Sequence, residues 1–222
     1  MIVLPRRYHR LKQVLEKRQP DLTVLTEDVH KPHNLSAIIR TCDAVGILDV
    51  HSINTTDEFP TFSQVSQGSD KWIFLHTHPN IKAAITHLKD ENFKIYAAHF
   101  SDKSVDYRDI NYTQPTAILL GAEKWGVSEE AANLVDGHII IPMLGMVQSL
   151  NVSVAAAVIL FEAQRQRLAQ KMYDTTRLHP EKYHQILFEW SYPDIAITYQ
   201  QKGKKYPDLG ENGEILDNIC DL

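Results

Sequence analysis

Short apolar runs and longer amphipathic stretches follow one another along the chain. Runs rich in β-branched residues are typical of buried strands, and they occur at 22–25, 49–53, 72–75, 93–98, 116–120 and 139–141. Apolar residues spaced three and four apart predict helices between these runs. The predicted helices are 5–18, 35–45, 80–92, 129–134, one that starts near 149–151, and two short ones at 180–188 and 195–201.

This alternation of strands and helices predicts an α/β fold with a mostly parallel sheet and helices on both of its faces. Helical extensions are expected at both ends. We therefore expect a basic N-terminal helix at residues 1–19, a sheet-bearing core at 20–168, and a C-terminal helical extension with an acidic tail at 169–222.

The stretch from Ile139 to Val158 carries the most information. Its strand ends before Pro142, and the helix that follows is apolar nearly all round as far as Phe161, which predicts burial on several sides. The loop between them holds Ser149 and Asn151, and polar loops between buried elements often serve a ligand or a reaction. An ordinary connection with two helix caps is the alternative.

Composition and charge narrow the class of protein. The chain is 43% hydrophobic and 23% charged, and its apolar runs are too short to span a membrane. Cys42 and Cys220 lie far apart and suggest no disulfide framework, so we expect a cytoplasmic protein. The net charge of −5 conceals two basic segments, with six Lys/Arg against one acid in 1–18 and eight against four in 164–205. Basic ends on an acidic centre favour a polyanionic partner; two solvated amphipathic helices are the alternative.

Several familiar sites are excluded. Residues 121–126 lack both the P-loop ending and the dinucleotide-binding glycine spacing, and Ser149 has no nucleophile-elbow context. The histidines lack further ligands at zinc spacing, so no metal site is expected. What remains is three polar loops, at 34–40, 121–126 and 144–151. In open α/β sheets such loops gather beyond the carboxyl ends of the strands and bind ligands there.

Three segments in order, HNLSAIIRTCDA at 33–44, LGAEKWG at 120–126 and IPMLGMVQSLNVSVA at 141–155, resemble the motifs of the SpoU/TrmH branch of the SPOUT RNA ribose methyltransferases. The similarity extends through both basic ends. It implies a C-terminal trefoil knot in the α/β fold and a homodimer with the knot at its interface. It also implies S-adenosyl-L-methionine as cofactor and tRNA as substrate, with methylation of the ribose 2′-oxygen of guanosine 18 in the D-loop.

The resemblance assigns residues by position. The functional positions of the family fall on Asn34, Arg40, Glu123, Ser149 and Asn151. The adenine of the cofactor is expected on backbone groups of Ala98, His99, Gly121, Ile141, Met143 and Leu150. Contacts with tRNA are expected from the basic ends, at Arg7, Arg10, Arg18, Arg165, Arg167 and Lys171.

Family proposals give Arg40 the proton of the ribose hydroxyl. A guanidinium is effectively always charged, so we favour Arg40 as a phosphate clamp that orients the ribose. Asn34 and Glu123 are expected to act as orienting partners in the site, although Asn34 is also a candidate helix cap. Ser149 and Asn151 are expected to fix their loop. The alternatives are a related enzyme acting on rRNA or on the tRNA wobble nucleotide, and a non-catalytic RNA-binding module.

Overall fold

Seven parallel strands form a single sheet in the computed structural model, which describes residues 3–53 and 71–216. The strands are β1 (Leu22–Glu27), β2 (Asp49–Ile53), β3 (Phe74–His78), β4 (Lys94–Ala98), β5 (Val105–Asp106), β6 (Thr116–Leu120) and β7 (Gly137–Ile140). Their order across the sheet is β3-β2-β1-β6-β4-β7-β5, and every pairing is parallel. Non-consecutive neighbours such as β1 and β6 require crossovers, as a parallel sheet demands.

Helices connect these strands and extend the chain at both ends. They are α1 (Pro5–Leu15), α2 (Pro32–Val45), α3 (Ile81–Asp90), α4 (Glu129–Leu134), α5 (Val152–Ala169), α6 (Pro180–Ser191) and α7 (Pro193–Gln201), with a 3₁₀ turn at Tyr107–Asp109. Among the residues described, no helix has the length and apolar character needed to cross a membrane.

The core lies on both faces of the sheet. One apolar cluster joins strand residues such as Val24 and Ile118 to α2 and α5. A second joins Leu25 and Leu119 to α3 and α4. Because neighbouring strand residues point to opposite faces, each buried strand contributes to both clusters. The predicted α/β fold, with a parallel sheet and helices on both faces, is confirmed. The trefoil knot stays a prediction.

Most predicted elements are present, with shifted ends. β6 and α4 have the predicted bounds, and α2 ends as predicted at Gly46, which adopts the left-handed backbone conformation. The cap assigned to Asn34 is wrong. α2 begins at Pro32, because proline is favoured at the first helical position, and this places Asn34 inside the first turn.

α5 is buried less completely than its composition predicts. Ala156 and Ile159 lie in the core beside the sheet. Val154 and Phe161 lie on another side of the helix and are 47% and 50% exposed. The prediction of burial on several sides is therefore wrong for this chain taken alone.

Contacts divide the chain into one unit of residues 1–18 with 173–222 and another of residues 19–172. In the first unit α1 packs against α6, and the guanidinium carbon of Arg18 lies 5.5 Å from the ring centroid of Trp190. Arg18 is completely buried. Its assignment as an RNA contact is wrong, because its guanidinium does not reach the surface.

Arg167 in α5 is also completely buried, within the second unit. Its guanidinium donates to the carbonyl oxygens of Tyr112, Asp21 and Gln114 at 2.8, 2.9 and 3.2 Å. It also donates to the Asp21 carboxylate at 2.6 Å and to the side chain of Gln19 at 3.1 Å. These bonds use the whole donor fork, so the RNA contact predicted for Arg167 is wrong. The residue holds the start of β1 and the approach to β6 on α5.

Four histidines cluster at the edge of the sheet formed by β2 and β3. The ring of His51 stacks on those of His76 and His78, with centroids 4.9 and 5.2 Å apart, and His87 of α3 lies against it. Nδ1 of His51 lies 2.9 Å from Nε2 of His78. Within residues 3–53 and 71–216, no group of three or more His, Cys, Asp or Glu side chains is arranged to hold a metal ion.

Lowering the pH from 7 to 5 is expected to destabilise the protein through His51. Burial, reinforced by the neighbouring histidines and opposed by Asp49, lowers the pKa of His51 to about 3. In the unfolded chain a histidine has a pKa near 6.5. The contribution of His51 to the free energy of unfolding is therefore complete above that pH and decreases as the pH falls toward 3. We expect a loss of up to about 2 kcal/mol at pH 5, at about 1.4 kcal/mol per pH unit.

Urea unfolding of wild type and of His51→Gln across this pH range measures the effect. The variant should show a shallower fall in unfolding free energy from pH 7 to 5, whatever its stability at pH 7. An equal slope in the two proteins would contradict the assignment to His51.

Candidate active site

The carboxyl ends of four adjacent strands, β1, β6, β4 and β7, carry the predicted loops to one edge of the sheet. The loop 121–126 follows β6, and the loop 141–151 follows β7. The segment after β1 leads into α2, which contains Asn34 and Arg40. The order of strands therefore gathers all three motif segments at this edge, as the parallel sheet predicts.

A chain of hydrogen bonds joins the three segments. The side-chain amide of Asn34 donates to the carboxylate of Glu123, which also pairs with the ammonium of Lys31. Nδ2 of Asn151 donates to Oδ1 of Asn34 at 3.1 Å. Oδ1 of Asn151 accepts from the backbone N–H of Ser153 at 2.9 Å and so caps α5. Asn34 is 2% exposed, which places the centre of this chain out of solvent.

Glu123 accepts at both ends of its carboxylate. Partial burial opposes its ionisation, but the hydrogen bonds from Lys31 and Asn34 and the charge of Lys31 prevail and hold its pKa below the usual value. An ionised carboxylate with a lowered pKa is a weak proton acceptor. The geometry therefore suits Glu123 to orienting Asn34 rather than to acting as a general base.

The loop 121–126 closes on itself. The N–H of Gly126 donates to the carbonyl oxygen of Ala122 at 2.7 Å, and Gly126 has a φ of 70°. A Cβ atom on Gly121 would overlap the backbone of Gly126 and Val127. Only glycine at 121 allows this close approach, and the turn then presents Glu123, Lys124 and Trp125 side by side.

Gly121→Ala is expected to displace this loop and to lower the activity of the site at least about tenfold, because backbone atoms cannot yield to the added methyl group at low cost. Overpacking of this kind costs about 1–3 kcal/mol. Urea unfolding and initial rates compare the variant with wild type, and wild-type values of both would contradict the close-approach argument.

The residues predicted to hold the adenine fit that task in chemistry. Ala98, Gly121 and Ile141 end or follow the neighbouring strands β4, β6 and β7, and the side chains of Ala98 and Ile141 pack against the apolar core. The N–H of His99 donates to the carbonyl oxygen of Ile139 at 3.2 Å, which ties the segment after β4 to β7. Apolar walls with nearby backbone donors and acceptors suit a purine. Met143 and Leu150, in the loop after β7, are partly exposed.

Two hydrogen bonds of His138 hold the segment after β4 in place. Oγ of Ser101 lies 2.6 Å from Nδ1 of His138, and Nε2 of His138 lies 2.9 Å from the carbonyl oxygen of Ala132. Because a carbonyl only accepts, Nε2 carries the proton and Nδ1 accepts from Ser101. The serine and the histidine are separated by 37 positions, and no local pattern predicted that they would meet.

Two predicted residues lie outside the hydrogen-bonded chain. Arg40 is exposed on α2, and Ser149 is exposed in the loop after β7. Leu144 and Met146 of that loop are fully exposed. Among the predicted tRNA contacts, Arg7, Arg10, Arg165 and Lys171 are exposed. The sequence analysis did not identify Lys31 as a residue of the site. Its position three residues before Asn34 was the feature that could have indicated it.

Comparison with known proteins identifies matching families over most of the chain. The model of the SpoU rRNA methylase family matches residues 21–161, and that of the C-terminal region of SpoU rRNA methylases matches residues 165–218. A Thermus thermophilus protein named tRNA (guanosine(18)-2′-O)-methyltransferase is 60% identical over 184 residues, which are 83% of this chain and 95% of that protein. The Escherichia coli K12 protein of the same name is 50% identical over 213 residues, or 95% of this chain and 93% of that protein.

Solved structures agree with these matches. The crystal structure of the Aquifex aeolicus TrmH/SpoU tRNA modifying enzyme has a TM-score of 0.79 and 43% identity, covering 86% of this chain and 97% of that one. AviRb from Streptomyces viridochromogenes, a SpoU methyltransferase solved in complex with the cofactor AdoMet, has a TM-score of 0.61 and 28% identity. That match covers 69% of this chain and 59% of AviRb.

Proposed function

Because the chain belongs to the SpoU rRNA methylase family, we propose that it methylates the ribose 2′-oxygen of guanosine 18 in tRNA, with S-adenosyl-L-methionine as methyl donor. The relatives that carry this activity in their names span nearly its whole length. A tRNA substrate is consistent with a cytoplasmic location, which is part of the proposal.

The observation that supports the proposal most directly is the hydrogen-bonded chain from Lys31 through Glu123 and Asn34 to Asn151. It joins the segments that follow β1, β6 and β7 through Asn34, Glu123 and Asn151, and Asn34 at its centre is buried. A module that only bound RNA would not need these three segments joined through a buried side chain. A reaction that aligns a donor and an acceptor does need such a fixed frame.

The cofactor supplies an electrophilic methyl group, so the protein has two tasks, to align the 2′-hydroxyl and to let its proton leave. Arg40 is exposed on α2, one and a half turns beyond Asn34, where a guanidinium can hold a phosphate of the substrate by two parallel bonds. Asn34, oriented by Glu123 and Asn151, fixes the start of α2 beneath it. The proton passes to a water molecule or to the substrate phosphate, since the lowered pKa makes the Glu123 carboxylate a weak acceptor and a guanidinium offers no acceptor at all.

The backbone groups at residues 98–99, 121, 141–143 and 150 are proposed to hold the adenine. The tRNA is proposed to lie against the exposed basic residues Arg7, Arg10, Arg165 and Lys171. Each phosphate contact should contribute about one counterion to the salt dependence of tRNA affinity. Because Arg18 and Arg167 are buried, neutralising them is not a test of RNA contact.

Mapping of 2′-O-methylation in unmodified tRNA transcripts incubated with the protein and the cofactor tests the proposal. We expect one modified ribose, at guanosine 18, and none in a transcript with a 2′-deoxyguanosine at that position. Modification of the wobble nucleotide or of rRNA instead would replace the substrate within the same family. Absence of methyl transfer together with absence of cofactor binding in calorimetry would refute the proposal that the protein is a methyltransferase.

We also propose a homodimer whose interface includes the exposed apolar side of α5 and the tip of the loop after β7. Val154 and Phe161 are half exposed, and Leu144, Met146 and Val147 are exposed by 62% or more. These exposed large apolar side chains all lie between residues 144 and 161, and exposed apolar patches mark association surfaces. A twofold contact would cover α5 and the loop at once.

Val154→Glu is expected to convert the dimer to a monomer in light scattering and to lower methyl transfer, because a dimer would bury the new charge without a partner. Ile197→Glu in α7 is the matched control, since Ile197 is 53% exposed in the other unit. A wild-type protein that is monomeric and fully active would contradict the proposal.

A further inference from the structure

A cavity of about 660 Å³ opens beside the hydrogen-bonded chain, within the unit of residues 19–172. Glu123 belongs to both, because its carboxylate binds Asn34 and the residue also lines the cavity. The other walls come from the segment after β1 and from the loop after β6. Their charged and aromatic members are Glu27, Asp28, His30, Lys31, Lys124 and Trp125. The volume lies in the range of small-molecule sites and exceeds what a single nucleobase needs.

Trp125 is the aromatic member of this wall, and it is 79% exposed. Exposed tryptophan is uncommon, because its large apolar surface is normally buried. The ammonium of Lys124 lies 4.5 Å from the centroid of its ring. Both residues line the cavity from the closed turn. An exposed indole beside a pocket is a stacking surface for a base, and each base stacked on an aromatic side chain strengthens binding severalfold or more.

Glu27 and Asp28, two acidic residues of the cavity wall, have different local environments. Both carboxylate oxygens of Glu27 accept from Ser128, from the N–H at 2.9 Å and from the hydroxyl at 2.6 Å, and so fix the start of α4. Asp28 follows it with a φ of 52°, a left-handed backbone that is uncommon outside glycine and asparagine or aspartate. This backbone turns the chain at the end of β1, where Asp28 forms part of the cavity wall.

We propose that this cavity takes the guanine of the target nucleoside, with Trp125 stacked on the base and the Asp28 carboxylate accepting hydrogen bonds from its N1–H and 2-amino groups. The inference rests on the proposed function and adds the element that selects the base. Guanine alone among the four RNA bases presents two adjacent donors on its pairing edge, and a carboxylate offers two acceptors at matching separation. Lys31 and Lys124 supply positive charge for the phosphates that flank the base.

Single-turnover methylation of tRNA with guanosine or inosine at position 18 tests this assignment, because inosine differs only by lacking the 2-amino group. Wild type should prefer guanosine at least about tenfold, the usual effect of losing one hydrogen bond to a charged group. Asp28→Asn should lower the rate on guanosine at least about tenfold and reduce the preference to near unity. Trp125→Ala should raise KM for both substrates and leave their ratio unchanged.

Asp90→Asn, which alters an exposed carboxylate at the end of α3, is the control and should match wild type in both rates. Asp28→Gly is a second variant whose backbone accepts a φ of 52° without strain, so the preference can be measured even where Asp28→Asn folds poorly. Cofactor binding by calorimetry should be the same in all variants.

An Asp28 variant that keeps the wild-type ratio of guanosine to inosine would overturn the inference, as would a wild type with no preference. Both results leave the proposed function standing, because guanosine 18 is still methylated. Failure of wild type to methylate guanosine 18 at all is the separate result that removes the proposed function.

Discussion

Arg40→Ala is expected to lower the single-turnover rate of methyl transfer at least about a hundredfold, because the ribose loses its clamp and a misplacement of about 1 Å has an effect of this size. The affinity for the demethylated cofactor should stay at the wild-type value, because the residues proposed to hold the adenine lie after β4, β6 and β7 and Arg40 lies on α2. Arg40 is exposed, so its removal should not unfold the protein.

Arg40→Lys separates the roles proposed for this residue. A phosphate clamp keeps part of its effect with lysine, which retains the charge and loses the two-pronged geometry. Lys94→Ala is the control, since Lys94 is an exposed cation at the opposite, amino end of β4. Quenched-flow rates and calorimetry measure the two quantities. Wild-type rates in Arg40→Ala would remove the residue from the mechanism.

Arg167→Ala is expected to destabilise the protein by about 3–5 kcal/mol, because it leaves the Asp21 carboxylate without its cation. The carbonyl oxygens of Tyr112 and Gln114 lose a donor in the same substitution. A natural domain of this kind has about 5–15 kcal/mol in total, so the loss is a large fraction of its stability. Arg167→Lys should rescue little, since one ammonium cannot span so many acceptors.

Arg165→Ala is the matched control, two positions away on the same helix. Its side chain is 66% exposed and pairs with Glu162 at 2.8 Å. Surface pairs contribute about 0–1 kcal/mol, so urea unfolding should change little, and the effect should appear in the salt dependence of tRNA binding. Equal destabilisation by the two substitutions would contradict the contrast between a buried and an exposed arginine.

These two arginines show where the sequence was informative and where it was not. The period of apolar positions predicted the strands and helices, because the side chains that are buried recur at the spacing of each element. The same spacing does not reveal which cation is buried. Arg165 and Arg167 stand in one basic segment, and only the approach of Asp21 and Tyr112 from distant parts of the chain tells them apart.

The candidate site divides in the same way. The resemblance to the family motifs located Asn34, Glu123 and Asn151, each in a segment that follows a strand of the sheet. Their mutual contacts depend on the order of the strands, which no local pattern states. The apolar character of α5 predicted burial, but burial by the same chain and burial by another copy leave the same composition. Val154 and Phe161 are half exposed in the single chain, and the proposed dimer would cover them.

The hydrogen bonds through Asn34 have a direction. Ser153 donates to Asn151, Asn151 donates to Asn34, and Asn34 donates to Glu123, so every amide is turned one way. An ionised acceptor at the end therefore sets the orientation of both asparagines. Hydrolysis of the Asn34 amide to the acid, a change with almost no effect on size, would replace the donor by an acceptor facing another carboxylate. The direction of the whole chain of hydrogen bonds therefore depends on one nitrogen atom, Nδ2 of Asn34.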